Sequence, residues 1–185
     1  MSTATQETLL TAEQFARRPD PGYPEELVRG KVVAMPVPGV RHGQVCGNVY
    51  YVLRQASPPG GLGHILTNDS GVVTERGPDT VRGADVSFYS YTRVPKGPLP
   101  PHYLDVVPDL VFEVRSPSDR WPKLLEKVAE YLNAGVPIVG VLDPERSTLD
   151  LYRGDEPVRI LGPDDEFALP ELLGDSRVFV RDFFA

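Results

Sequence analysis

The sequence predicts an α/β domain centred on a strand–turn–helix unit over residues 108–133, and three observations predict it. Leu110, Val111, Phe112 and Val114 make a nearly continuous apolar run, the pattern of a strand buried on both faces. A breaker, Ser116-Pro117-Ser118-Asp119, then caps a helical pattern over 120–133, which Gly135 stops. Residues 137–142 form a second short apolar run, so a helix separates two buried strands.

The remaining elements follow in chain order. Thr11-Ala12-Glu13-Gln14 has the spacing of a capping box, so a short helix is expected from near Thr11. Residues 26–33 read as a hairpin with Gly30 at the turn, and Pro36 and Pro38 end its second strand. Over 40–56, Val45, Val49, Val52 and Leu53 fall at i, i+4, i+7 and i+8 and form one helical stripe. Ser57-Pro58-Pro59-Gly60-Gly61 stops that helix. Three strands are expected at 63–68, 71–75 and 81–89, then a proline-rich surface loop over 91–106. Residues 148–153 and 157–161 read as a hairpin around Gly154-Asp155. The tail reads as a short helix over 170–173 and a closing strand or turn over 177–184. No internal repeat or linker interrupts the chain, which predicts one domain over 1–185 with its core at about 11–153.

Composition narrows the function classes. A chain of 185 residues, 41% hydrophobic and 24% charged, can bury a core without disulfide or metal staples. Its twenty prolines are scattered through short connections, which predicts rigid loops. The single cysteine, Cys46, excludes an intrachain disulfide and suits a reducing compartment. The N-terminus lacks the pattern of a signal peptide, and no apolar run approaches a membrane span. The expected location is therefore cytoplasmic, without a membrane partner. A net charge of −7 and the lack of a basic stripe argue against strong non-specific DNA binding, which rests on phosphate contacts. They leave room for a local site where a bound cation offsets acidic side chains.

Two charged residues interrupt the strands. Asp85 lies in Gly83-Ala84-Asp85-Val86-Ser87-Phe88, and Glu113 lies between Phe112 and Val114. An ionised carboxylate is costly to bury alone, so each is expected to be paired, metal-bound or at a strand end. A paired structural carboxylate is the plain alternative for both. On the 120–133 helix, Leu124, Leu125, Val128, Ala129, Tyr131 and Leu132 cover one arc at about 100° per residue. Lys127 lies at the margin of that arc, where it can lean over the packed face toward the strand end; a snorkelling surface lysine is the alternative. Together these residues have the makings of a nuclease centre. Carboxylate oxygens bind Mg²⁺, which polarises a phosphate and lowers the pKa of a bound water. Lys127 or Arg115 could orient that water or stabilise charge developing on the phosphate.

A longer series of motifs carries a family resemblance: Glu26-Leu27-Val28-Arg29-Gly30-Lys31-Val32-Val33-Ala34-Met35, Arg41-His42-Gly43, Arg82-Gly83-Ala84-Asp85-Val86, the run from Pro108 through Glu113-Val114-Arg115-Ser116-Pro117-Ser118-Asp119, Lys127 with Tyr131, Gly135-Val136, and Asp143-Pro144-Glu145. In this order they resemble the Uma-type restriction endonuclease family of the PD-(D/E)xK nuclease superfamily, over about 11–152. The resemblance implies a restriction-endonuclease-like α+β fold, a mixed central sheet flanked by helices, with added β-hairpins. It implies a divalent metal, Mg²⁺ or Mn²⁺, held by Asp85 and Glu113, with Glu26 as a third acidic contributor. His42 matches the family pattern and would line the cleft near substrate. Two positions depart from the superfamily pattern. Ala84 replaces the proline before the first aspartate, and Arg115 replaces the lysine two residues after the glutamate. Arginine stays charged and cannot serve as a base at neutral pH, so Lys127, displaced onto the neighbouring helix, is the expected substitute.

Weaker signals remain. His42 and Cys46 are spaced i, i+4 on one helix and could serve a metal, but a third and fourth donor are missing, and His64 and His102 lie in unrelated segments. Gly60-Gly61-Leu62-Gly63 opens no helix and reads as a loop. Tyr50 and Tyr51 are expected in the core or an interface, and Trp121 packed at the helix start. The expected function is metal-dependent hydrolysis of DNA phosphodiesters. The alternative is a nuclease-fold binding or assembly module, which the acidic charge and Arg115 favour. A homodimer is compatible with cutting both strands of a duplex.

Overall fold

The structure, a computed structural model, describes residues 9–59, 61–117 and 119–185. Gly60 and Ser118, both part of the breaker motifs above, lie outside the described residues, as do residues 1–8. The chain opens with helix α1 (Ala12–Ala16), held by the expected capping box: the Thr11 hydroxyl accepts from the Gln14 amide, and the Gln14 side chain accepts from the Thr11 amide. Strands β1 (Glu25–Val28) and β2 (Lys31–Ala34) form the expected hairpin. Its two turn residues, Arg29 and Gly30, have φ of 49° and 77°, the left-handed conformation that tight hairpin turns require.

Helix α2 (Val40–Ala56) buries Val45, Val49, Val52 and Leu53, the stripe that periodicity predicts. The three strands expected next are two long ones, β3 (Gly63–Glu75) and β4 (Thr80–Ser90). The expected break in the first is a bulge between Thr67 and Ser70, where Asn68 and Asp69 take φ of 64° and 53°. Both residue types tolerate that region, so the strand bends without ending. Strand β5 (Leu110–Val114) is buried at every position, as is β6 (Ile138–Asp143), and helix α3 (Trp121–Asn133) joins them. Asp119 does not cap α3. Its carboxylate accepts instead from the Ser116 amide at 2.7 Å, and Arg120 at the N-cap makes no side-chain hydrogen bond. Strands β7 (Thr148–Tyr152) and β8 (Arg159–Leu161) form the second expected hairpin. A strand not foreseen, β9 (Glu166–Ala168), precedes α4 (Pro170–Leu173), β10 (Arg177–Phe179) and a 3-10 turn (Val180–Phe184).

Among the described residues the main sheet has eight strands in the order β2-β1-β4-β5-β6-β7-β8, with β3 on β4. It is mixed: β5 and β6 are parallel across the α3 crossover, and the other pairs are antiparallel. One core cluster joins Val45, Val49 and Leu53 of α2 to Leu110, Phe112 and Val114. The other joins Leu124, Val128 and Tyr131 of α3 to Val111, Val139 and Val141. Alternate residues of β5 thus face opposite helices, which places Glu113 on the α3 side. The core runs past the expected limit near 153. Phe167 and Phe183 pack on Phe112 with ring centroids 5.6 and 5.9 Å away, because the tail folds back over the α2 face.

Candidate active site

The β4–β5 ladder ends at the pair Val86 and Phe112. One residue beyond it on each strand stand Asp85 and Glu113, where the strands part. The Val114 amide donates to Asp85 Oδ2 at 2.6 Å, so a side chain takes the place of the next ladder bond. The chain therefore concentrates two buried carboxylates at a break in its own sheet.

Helix α3 supplies the countercharge. Lys127, half-buried at the margin of the packed face, leans over it beside the buried Leu124, Val128 and Tyr131, while Leu125 and Ala129 are exposed. The helix is rotated away from its apolar arc so that one turn lies over Glu113. Lys127 Nζ donates to Glu113 Oε2 and to the Gly83 carbonyl, both at 2.8 Å, and lies 3.2 Å from Glu26 Oε1. The Tyr131 hydroxyl donates to the other Glu113 oxygen at 2.9 Å. Glu26 is held in turn by the Arg82 guanidinium at 2.7 Å and the Gly83 amide at 3.0 Å, and Arg82 also pairs with Glu130 of α3.

Burial shapes the titration of this cluster. It pushes the Glu113 carboxyl up to about 8, against the pull of Lys127 and with the push of the Asp85 charge. Burial also opposes the charge on Lys127, but Glu113, Glu26 and Asp85 outweigh it and hold its pKa above the ordinary value, so it stays an ammonium. For Asp85, burial is outweighed by the hydrogen bond from His42 and by the charges of Lys127 and His42, and its pKa falls below the ordinary value.

On the other side of Asp85 lies a cleft of about 340 Å³, lined by His42, Cys46 and Tyr50 of α2, the bulge residues Thr67, Asn68 and Asp69, and Asp85 itself. His42 Nε2 is 3.2 Å from Asp85 Oδ2, and its Nδ1 is 3.5 Å from Cys46 Sγ. Burial works against the imidazolium, yet the bonds to Asp85 and Cys46 carry the His42 pKa up to about 10. Burial together with the charge of Asp85 raises the Asp69 pKa.

The structure thus brings together Glu26, Asp85, Glu113 and Lys127, with His42 on the cleft side. Arg115 is placed elsewhere. Its guanidinium bonds both oxygens of Asp143, at 3.2 and 3.1 Å, and Glu145 at 2.8 Å, and lies over the Trp121 ring at 5.6 Å. Trp121 packs at the α3 start, as expected. Tyr50 and Tyr51 are exposed rather than in the core, and Tyr50 lines the cleft. Sequence reasoning missed Asp69, the anchoring of Glu26 by Arg82, and the hydroxyl role of Tyr131. Only Asn68-Asp69, a pair tolerant of left-handed backbone, offered a signal for the bulge.

The fold defines the class: a mixed-sheet α+β protein, with a buried carboxylate–lysine cluster at a break in its sheet. The chain belongs to the Uma2 family, described as putative restriction endonucleases, whose family model matches residues 12–179. Its fold is that of a crystal structure described as a putative nuclease belonging to DUF820 from Anabaena variabilis, with a TM-score of 0.80 and 20% identity over 95% of this chain and 97% of that one. No curated protein matches the sequence. No helix among the described residues is long and apolar enough to cross a membrane.

Proposed function

We propose that the protein is a metal-dependent endonuclease that hydrolyses DNA phosphodiester bonds. The observation that carries this reading is the convergence of Asp85, Glu113 and Lys127 at the break between β4 and β5. The donor set suits a hard divalent cation: two buried carboxylates, Asp85 and Glu113, stand one residue beyond the last β4–β5 pair. Asp85 and Glu113 would hold Mg²⁺ or Mn²⁺, which when bound supplies Lewis-acid polarisation of the phosphate and a more acidic water. Lys127, fixed as an ammonium, offers positive charge where negative charge develops on the phosphate oxygens, and it orients a water without accepting its proton. Glu26, whose oxygens meet Arg82, Gly83 and Lys127, would be the third acidic contributor and positions the lysine. Arg115, bonded to Asp143 and Glu145, is assigned to holding the end of β6. His42 lines the cleft on the side from which a phosphate would approach Asp85.

Plasmid DNA incubated with the protein and Mg²⁺ or Mn²⁺ tests the reading. Nicking is expected from the wild type and its loss from Asp85→Ala, Glu113→Ala and Lys127→Ala. Full cleavage by Lys127→Ala would sink the assignment of the lysine. The second reading, a non-catalytic binding module, draws support from one observation: both oxygens of Glu113 are already bonded, by Lys127 and Tyr131. Calorimetry that finds no Mg²⁺ or Mn²⁺ binding would favour it.

A further inference from the structure

We propose that His42, Cys46 and Asp85 form a binding site for a thiophilic divalent cation of the zinc type, which shares only Asp85 with the Asp85–Glu113 pair. His42 and Cys46 are one turn apart on α2, so both side chains leave the same face of the helix and meet β4 at Asp85. One imidazole nitrogen, the thiol sulfur and one carboxylate oxygen all lie within 4.8 Å of one another. Zinc bonds of about 2.3 Å to sulfur and about 2.0–2.2 Å to nitrogen and oxygen put tetrahedral ligands roughly 3.3–3.6 Å apart. His42 Nε2 lies 3.2 Å from Asp85 Oδ2, while the opposite ring nitrogen, Nδ1, lies 3.5 Å from Cys46 Sγ, so the imidazole stands between the carboxylate and the thiol. Closure onto one ion therefore needs the imidazole to turn about its side-chain bonds so that one nitrogen faces both the thiol and the carboxylate.

The surroundings suit an ion. The donors open on the cleft of about 340 Å³, which gives solvent access. Gly43 and Gly47 line the same cleft and put no side chain into it. Asp69 on the bulge lines the cleft next to Asp85 and can serve as the fourth donor, as can water. A thiolate beside an imidazole selects zinc-type ions over Mg²⁺, which prefers oxygen. Ligation releases two protons to solvent, one from the Cys46 thiol and one from the His42 imidazolium. The site does not depend on nuclease activity, but it uses Asp85. A zinc-type ion here withdraws that carboxylate from the hard-metal site and so antagonises any Mg²⁺-dependent function.

Co²⁺ is the probe, because a cobalt–thiolate bond gives an intense near-ultraviolet charge-transfer band and Cys46 is the one cysteine of the chain. Titration of the wild-type protein should develop this band to one ion per chain. Zn²⁺ should displace it and excess Mg²⁺ should not. The band should vanish in Cys46→Ser, and His42→Gln should weaken cobalt binding by about 10-fold or more. If Cys46→Ser fails to fold by circular dichroism, alkylation of the wild-type thiol is read instead, and Zn²⁺ should slow it by about 10-fold or more. A band absent from folded wild type, a band retained in Cys46→Ser, or alkylation indifferent to Zn²⁺ would overturn the proposal. Plasmid nicking by the same preparations reports separately on the nuclease reading, so each can fail alone.

Discussion

Replacing Glu113 by glutamine should make the folded protein less sensitive to alkali. In the native state burial pushes the Glu113 carboxyl from an ordinary 4.5 up to about 8. Between those values the native chain holds a proton that the unfolded chain has lost, so stability falls as pH rises through that window. Each pH unit inside it costs at most about 1.4 kcal/mol, and integration from pH 6 to pH 8 gives a loss of about 2 kcal/mol from this one group. Glutamine keeps the shape and a hydrogen-bond acceptor for Lys127 or Tyr131 but has no such proton to lose. Urea unfolding in the presence of a chelator, at pH 6 and pH 8, measures the difference. The wild type should lose about 2 kcal/mol more than Glu113→Gln over that interval. Equal pH dependence in the two proteins would refute the reasoning, because it would mean that the 2.8 Å contact with Lys127 keeps Glu113 ionised throughout.

Other substitutions address neighbouring parts of the site. Lys127→Met should lower stability by about 3–5 kcal/mol at neutral pH, read by chemical denaturation, because it strips buried Glu26 of a cation and Glu113 of a hydrogen-bond donor. Asp85→Asn should return the His42 pKa from about 10 toward its ordinary 6.5, followed by NMR titration of the imidazole protons. Arg115→Ala should leave metal-dependent nicking intact while destabilising the fold by about 3 kcal/mol in denaturant melts, since Asp143 is fully buried beneath it. Leu124→Ala should cost about 2–5 kcal/mol, measured the same way, as a cavity on the α3 face.

Much of the local structure was legible in the chain because its signals are local. The capping box at Thr11, the Gly30 turn, the α2 stripe and the buried β5 and β6 runs each occupy one short window. The site was legible only where a charge interrupted such a window, at Asp85 and Glu113. Its other members depend on pairings distant in sequence. Arg82 meets Glu26 56 residues away and Glu130 48 residues away, and no periodicity reports such contacts. Lys127 was legible in part, as a residue at the margin of the apolar arc able to lean over the packed face. Helical periodicity locates the apolar arc, whereas the rotation of α3 is decided by that arc together with the carboxylates beneath it. Pairing the ammonium with Glu113 and Glu26 outweighed burying Leu125, which stays exposed.

The same contest explains why the cation comes from a helix. Arg115 follows Glu113 by two residues, but β5 ends at Val114, and the Arg115 amide bonds the Leu142 carbonyl on the parallel neighbour β6. At that point the nearest acids are Asp143 and Glu145, which take the guanidinium. A charge on this side of the strand end is thus drawn along the parallel pair and away from the gap between β4 and β5. The β5–α3–β6 crossover lays α3 back over the sheet, and one turn of it passes above Glu113. A lysine there approaches from above the gap, beyond reach of Asp143, and can bridge Glu113, Glu26 and the Gly83 carbonyl at once. Restoring lysine at position 115 without changing Asp143 and Glu145 should therefore not replace Lys127: a Lys127→Ala/Arg115→Lys double variant is expected to nick plasmid no faster than Lys127→Ala alone, and recovery of cleavage would show that the strand position still reaches the site.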